Sequence, residues 1–135
     1  MEAVKSTGFA LQFAAEELKV DQELVMEAVK QQGTALRYAA QELKADRRLV
    51  MEAVTNNGLA FEFAIEKLKG DRGFVMEALK IDGTALEGAV DHFKADREVV
   101  IVAVKSDGGA LEYASQELKA DRELVMEAPR THAKK

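Results

Sequence analysis

Residues 26–50 read MEAVKQQGTALRYAAQELKADRRLV, and residues 51–75 read MEAVTNNGLAFEFAIEKLKGDRGFV. The same 25-residue pattern starts at Met1 and also covers residues 76–100 and 101–125, so five copies follow one another without a gap. A sixth copy begins as MEAPR at residue 126. A fixed period of this kind is typical of repeat proteins, in which each unit buries its apolar face against its neighbours.

Seven positions of the repeat carry the same residue in all five copies. Because this is identity between copies of one chain, it indicates a shared geometry of the units rather than a shared chemistry. In the second copy the seven positions are Ala28, Gly33, Ala35, Ala39, Lys44, Asp46 and Val50.

Each copy is predicted to form two short helices. Asp46 precedes an apolar-periodic segment and is a preferred N-cap residue, so a first helix of about ten residues is expected to run from it toward Gly58. Glycine is common just past a helix end because it adopts the left-handed conformation without strain. A second helix is expected from Ala35 to Lys44, with Gly33 or Thr34 as its N-cap. The predicted fold is therefore all-α: an open α-solenoid of about eleven short helices over residues 1–128, followed by a polar tail at 129–135.

The apolar residues of the first helix cover an arc of roughly 200°, which predicts burial against several neighbours. The fourth copy has Gly88 where the other copies have an aromatic residue. The same copy has Phe93 where the others have leucine, so we expect the Phe93 ring to fill the space beside Gly88.

Two strings carry a resemblance to a known family: ELKADRELVMEA from Glu117 and KQQGTALRYAAQELKADR from Lys30. The chain resembles, over residues 1 to about 128, the tandem-repeat family catalogued as domain of unknown function 4116. The resemblance implies tandem helical repeats and supplies no catalytic residues. The fifth copy departs from the pattern at Ile101 and Val102, where the others read Met-Glu.

The formal net charge of −5 makes phosphate-backbone binding a poor expectation, because such binding depends on Lys and Arg, and no nucleic acid is expected as a partner. The absence of cysteine excludes disulfides, thiolate metal sites and cysteine nucleophiles. No apolar run is long enough for a membrane span. The expected location is cytoplasmic by default, or organellar if a targeting segment has been removed.

No constellation of residues points to catalysis. The chain has two histidines, His92 and His132, and neither has a partner at a spacing that metal binding or acyl transfer requires. The glycines occur once per repeat and form no phosphate-binding loop. We therefore expect no enzyme activity, no cofactor and no metal.

Outward-facing acids are the first candidate binding residues. Stacking of the repeats is expected to align the exposed positions of the second helix into one row, which is acidic from the third copy onward and interrupted by lysines. This row is called the acidic ridge here, and it consists of Glu62, Glu66, Glu87, Asp91 and Glu112. It is either a solvated face or a docking site for a basic protein segment.

Apolar residues in otherwise polar positions are the second candidate set. Ile81 and Val102 come from adjacent copies, and the corresponding positions of the other copies are mostly polar. Phe9 and Leu59 similarly follow turn glycines, at a position where the other copies have Thr34, Thr84 and Gly109. Ile81 and Val102 are therefore candidates for a partner contact.

These patterns favour a non-catalytic protein-interaction module or a structural subunit of a larger assembly. There are two alternatives, because no polar capping unit is evident at either end. The chain could self-associate through its ends, or it could be a fragment of a longer solenoid. A nucleic-acid-binding repeat is a remote alternative that the net acidity argues against.

Overall fold

The computed structural model describes residues 21–127, and all regular structure in that range is helical. A complete described repeat contains a ten-residue α-helix, a six-residue 3₁₀ helix and a four-residue α-helix. The long α-helices are α1 (Gln22–Gln31), α3 (Arg47–Asn56), α5 (Arg72–Ile81), α7 (Arg97–Ser106) and α9 (Arg122–Glu127). The 3₁₀ helices are η1 (Gly33–Tyr38), η2 (Gly58–Phe63), η3 (Gly83–Gly88) and η4 (Gly108–Tyr113). The short α-helices are α2 (Gln41–Lys44), α4 (Glu66–Lys69), α6 (Asp91–Lys94) and α8 (Gln116–Lys119).

This element order confirms the predicted all-α repeat fold. The first copy up to residue 20 and the predicted tail at 129–135, with His132, lie outside the described residues.

The long helices begin where the sequence predicts. The Asp46 carboxylate accepts hydrogen bonds from the backbone amides of Arg48 and Leu49 at 3.0 and 3.2 Å. Equivalent caps start the other long helices at Asp21, Asp71, Asp96 and Asp121. The caps satisfy amides that have no partner inside the helix.

The predicted second helix is wrong as a single element, because it is split in two. Ala39 and Ala40 are extended, with ψ of 160° and 157°, between the 3₁₀ helix η1 and the short helix α2. Local propensity favours a continuous helix, since alanine is the best helix former. At the break, the backbone instead forms a hydrogen bond to the neighbouring repeat. In the next repeat, the amide of Ile65 at the equivalent break donates to the carbonyl of Lys44 at 3.2 Å.

The predicted role of the invariant glycines is also wrong. None of the described residues has a positive φ, and Gln32 and Asn57 end their helices in extended conformations. Gly33 is buried at the start of η1, where a Cβ atom would overlap the carbonyl oxygen of Ala53 in the next long helix. The glycine is therefore required by close approach of two repeats and not by a left-handed turn.

The core runs between two stacked columns. Each described long helix packs against the next long helix, and each 3₁₀ helix packs against the next 3₁₀ helix. The long helices bury Val, Leu and Ala side chains, while the 3₁₀ helices contribute fully buried Leu36, Phe61 and Leu86. Among residues 21–127 no polar or charged residue is buried, so the core is apolar throughout.

The Glu62 backbone of the preceding repeat lies directly against Gly88. The three atoms nearest to a Cβ built on Gly88 all belong to Glu62, and its backbone nitrogen and Cα would lie at 2.5 and 2.6 Å. Helix η2 thus approaches η3 too closely for a side chain at residue 88. Phe93 is buried, and its packing beside Gly88 stays a prediction.

Candidate interaction surfaces

The acidic ridge is carried by the 3₁₀ and short helices. Glu62, Glu87 and Glu112 occupy the fifth position of η2, η3 and η4, and all three are exposed. The 3₁₀ helices stack directly on one another, so these carboxylates follow one another at successive levels of the column. The close approach of Gly88 to Glu62 further brings the first two levels together.

Tyr113 directly follows Glu112 at the end of η4, beside the acidic ridge. Burial raises the pKa of the Tyr113 phenol, and the carboxylates of Glu112 and Glu87 raise that pKa further. One phenol is therefore close enough to interact with acids from two successive repeats. This places Glu87 and Glu112 in the same electrostatic environment.

The acids of the short helices form the second row. Glu66 and Asp91 are exposed at the first residues of α4 and α6. The Lys69 ammonium lies 3.3 Å from the Glu66 carboxylate and donates to the carbonyl oxygen of Glu62 at 2.9 Å. Lys69 therefore partly neutralises the acidic ridge at the third repeat.

The charge changes sign where the acidic ridge meets the second repeat. Arg37 stands at the position of Glu62, and its guanidinium lies 5.3 Å from the Tyr38 ring centre and 5.2 Å from that of Phe63. Burial lowers the pKa of the nearby Lys44, and the charge of Arg37 lowers it further. Within the described residues, this surface therefore has a basic stretch at Arg37 and Lys44 and an acidic stretch from the third repeat onward.

A groove of about 450 Å³ lies where these regions meet. Its lining combines basic, acidic and apolar side chains and consists of Gln41, Lys44, Glu62, Phe63, Ala64, Ile65, Glu66 and Lys69.

The two apolar candidates have different environments. Ile81, the last residue of α5, is 46% exposed. Val102 is only partly buried but packs against the core from α7. The structure therefore provides a packing role for Val102, whereas Ile81 lies largely in solvent.

Leu59 is a further exposed apolar residue, in the repeat that precedes Ile81. It is 37% exposed and follows Gly58, whose amide donates to the Asp82 carboxylate at 2.8 Å. Asp82 directly follows Ile81, so Leu59 and Ile81 flank the same inter-repeat hydrogen bond. Leu59 was visible in the sequence as an apolar residue in a threonine position, but its proximity to Ile81 depends on the stacking.

A ladder of ion pairs links the long helices and was missed in the sequence. Arg47 pairs with Asp71 at 2.5 Å, and Arg72 pairs with Asp96 at 2.5 Å and with Glu98 at 2.6 Å. The fourth repeat continues the ladder through Arg97. Asp71 and Asp96 thus use one carboxylate oxygen for their own helix and the other for the preceding repeat. The recurring spacing of 24 residues between arginine and aspartate was the available signal.

The last described helix, α9, exposes groups that inner repeats cover. Val125 is 43% exposed and Met126 is 71% exposed, whereas Val50, Val75 and Val100 are fully buried. Arg122 is also exposed and continues the arginine series of the ladder. These residues line a groove of about 500 Å³ together with Ala120 and Glu123.

The side chains that could bind a metal ion do not form a cluster in residues 21–127. His92 is exposed on α6, with its ring centre 4.4 Å from that of Phe93. Within residues 21–127, no three His, Cys, Asp or Glu side chains are grouped as a metal ion would require. No helix in that range combines the length and apolar character needed to cross a membrane.

Comparison with known proteins agrees with the internal periodicity. The family described as Domain of unknown function (DUF4116) matches residues 1–44, 46–94, 71–118 and 96–128. No curated protein and no solved structure matches the chain. The four overlapping matches extend over nearly the whole chain, and the chain therefore belongs to this family of tandem repeats of unknown function.

Proposed function

We propose that this chain is a non-catalytic protein-interaction module, or a structural subunit of a larger assembly, whose acidic ridge binds a basic segment of a protein partner. The observation that supports the proposal is the succession of Glu62, Glu87 and Glu112 on stacked 3₁₀ helices. A partner segment lying along the column would meet one carboxylate at each level.

The exposure of these acids determines what kind of binding is expected. Exposed ion pairs contribute little individually, so affinity requires several of them together. Complementary charge mainly accelerates encounter and selects the partner, and salt screens it. The proposed complex is therefore salt-sensitive and depends on the number of basic residues in the partner segment.

The test uses a fluorescently labelled Lys- and Arg-rich peptide and measures its anisotropy during titration with the full chain. The ridge variant Glu62→Gln/Glu87→Gln/Glu112→Gln should weaken binding at least tenfold at low salt. The control Glu23→Gln/Glu52→Gln/Glu77→Gln removes the same number of charges from the long helices and should bind nearly as well as the wild type. Equal losses in both variants would mean that only net charge matters, and the proposed ridge site would then be rejected.

Self-stacking is a second candidate, supported by the exposed Val125 and Met126 beside Arg122. Apolar groups that are buried in inner repeats favour association when they are left open to solvent. Light scattering should then show a molar mass that rises with concentration for the wild type and stays at the monomer value for Val125→Asp. A concentration-independent monomer mass for the wild type would eliminate this candidate.

A further inference from the structure

Two exposed apolar side chains lie in the middle of the stack. Leu59 and Ile81 belong to adjacent repeats, whereas the other large exposed apolar residues within the described range, Val125 and Met126, belong to its last helix. Single exposed apolar residues are ordinary on protein surfaces. Leu59 and Ile81, however, are exposed on adjacent repeats, and Leu59 is in the same 3₁₀ helix as Glu62 of the acidic ridge.

The position of Ile81 has a hydrogen-bonding role in other repeats. Asn56, the equivalent residue, accepts from the amide of Gly33 at 2.7 Å and donates to the carbonyl of Lys30 at 3.0 Å. Ser106 accepts from the amide of Gly83 at 3.2 Å in the same way. The polar residue therefore satisfies the first amide of the preceding 3₁₀ helix.

Ile81 has no atom that could accept this hydrogen bond, and its neighbour supplies one instead. Asp82 accepts from the amide of Gly58 through Oδ2 at 2.8 Å and from the amide of Thr84 through Oδ1 at 3.0 Å. One carboxylate thus caps two 3₁₀ helices. The stack consequently remains fully hydrogen-bonded here while an isoleucine is presented to solvent.

The apolar pair lies next to the acidic ridge. Leu59 and Glu62 are three residues apart in η2, and a 3₁₀ helix has three residues per turn, so their side chains lie on the same face. The hydrogen bond between Asp82 and Gly58 joins the residue that follows Ile81 to the residue that precedes Leu59. Leu59 and Glu62 therefore share one exposed face, and Ile81 is exposed on the adjacent repeat next to the residue that is hydrogen-bonded to Gly58.

We infer that Leu59 and Ile81 form the apolar contact of the surface that binds the basic segment, and that the partner segment carries one large apolar side chain flanked by Lys or Arg. This inference rests on the proposed function of the acidic ridge. The charges alone would let a basic segment slide along the row, because each level of the column offers a similar carboxylate. An apolar contact at a single level determines the register, and burying it adds affinity that salt does not screen.

The test compares two short Lys/Arg peptides that are identical except for a central residue, which is Leu in one and Ser in the other. Each is titrated with the full chain and followed by fluorescence anisotropy. The wild type should bind the Leu peptide about tenfold more tightly, the effect expected of one partly buried aliphatic side chain.

The variant Leu59→Thr/Ile81→Asn introduces the residues that Thr34, Thr84 and Asn56 already provide in other repeats, so folding should be preserved. It should lose the preference for the Leu peptide and retain the wild-type affinity for the Ser peptide. The control Val125→Thr/Met126→Gln removes an equal number of exposed apolar residues and should keep the preference. Circular dichroism melting curves verify that both variants are folded.

The outcomes separate this inference from the ridge proposal. If the wild type binds both peptides equally and the Glu62→Gln/Glu87→Gln/Glu112→Gln variant binds neither, the apolar contact is rejected while the ridge proposal stands. Binding of neither peptide by the wild type would reject both. A preference for the Leu peptide that survives in Leu59→Thr/Ile81→Asn would place the apolar contact elsewhere and also overturn the inference.

Discussion

The column of long helices and the column of 3₁₀ and short helices follow the same repeat but differ in how uniform they are. The long helices repeat their aspartate caps, their buried Val and Ala positions and most of the ion-pair ladder. The outer column changes from Arg37 to Glu62 at one position and from Phe63 to Gly88 at another. The column of long helices therefore keeps its ion pairs from one repeat to the next, whereas the column of 3₁₀ and short helices varies at positions that can carry a binding surface.

The largest expected effect concerns the contact between the two columns. Gly83→Ala should reduce the free energy of unfolding by about 1–3 kcal/mol, because the new Cβ would overlap the backbone carbonyl of Ala103, which has no flexible group to yield. Urea denaturation measures this change.

Gly73→Ala is the matched control on the long helix α5. Its Cβ would meet its nearest atom, in the Asp71 carboxylate, at an ordinary 3.6 Å. Alanine also costs less backbone entropy than glycine in a helix, so a gain of about 0.5 kcal/mol is expected. Equal effects at the two glycines would mean that close approach of the columns does not explain the invariant glycine.

A smaller effect distinguishes structural acids from ridge acids. Asp46→Ala removes the cap of α3 and the acceptor of Gln22, and should reduce the free energy of unfolding by about 1 kcal/mol. Asp91→Ala removes an exposed acid of the acidic ridge and should change the free energy of unfolding by less than about 0.5 kcal/mol. Thermal unfolding of the two variants side by side provides the comparison, and a reversed order would contradict the division between the columns.

The smallest expected effect is the pH dependence of the ladder. The pKa of Asp96 is lowered first by the hydrogen bond from Arg72 and also by the amides of Val99 and Glu98. Because its pKa is lower in the folded than in the unfolded chain, the carboxylate contributes stability above the unfolded value of about 3.9. That contribution is lost as the pH falls through the lower folded-state value.

Asp96→Asn should therefore be less stable than the wild type at neutral pH, with the difference disappearing in strong acid. Arg72→Gln, which removes the partner cation, should show the same convergence. Denaturation curves recorded from neutral to strongly acidic pH test this, and curves for wild type and Asp96→Asn that stay parallel throughout would refute it.

The sequence was sufficient for the repeat period, the all-α class and the starts of the long helices. Asp46 and its equivalents are local signals, because an aspartate caps the helix that directly follows it. The acidic ridge could likewise be predicted as an aligned row, since stacking identical units places equivalent residues at successive levels. Its binding function remains a proposal.

The ion-pair ladder and the neighbourhood of Leu59 and Ile81 were not predicted, although the residues were visible. Arg47 and Asp71 are 24 residues apart, and their pairing depends on which edges of two long helices meet. The amide of Gly58 donates to Asp82, because Ile81 has no acceptor atom at the position that Asn56 uses in another repeat. That contact also depends on the stacking. Side-chain partners across repeats are set by the angle and offset of the stack, which a one-dimensional pattern does not contain.

By itself, the sequence determined that each unit starts a helix at an aspartate, buries a Val- and Ala-rich face and repeats every 25 residues. Those features depend on local caps and on hydrophobic periodicity, which act over a few residues. Only the tertiary structure decided that the second helix breaks at Ala39 and Ala40 and that Gly33 serves close packing. The physical reason is that backbone groups and Cβ atoms must also fit the next repeat, and that fit overrides the helix propensity of the segment.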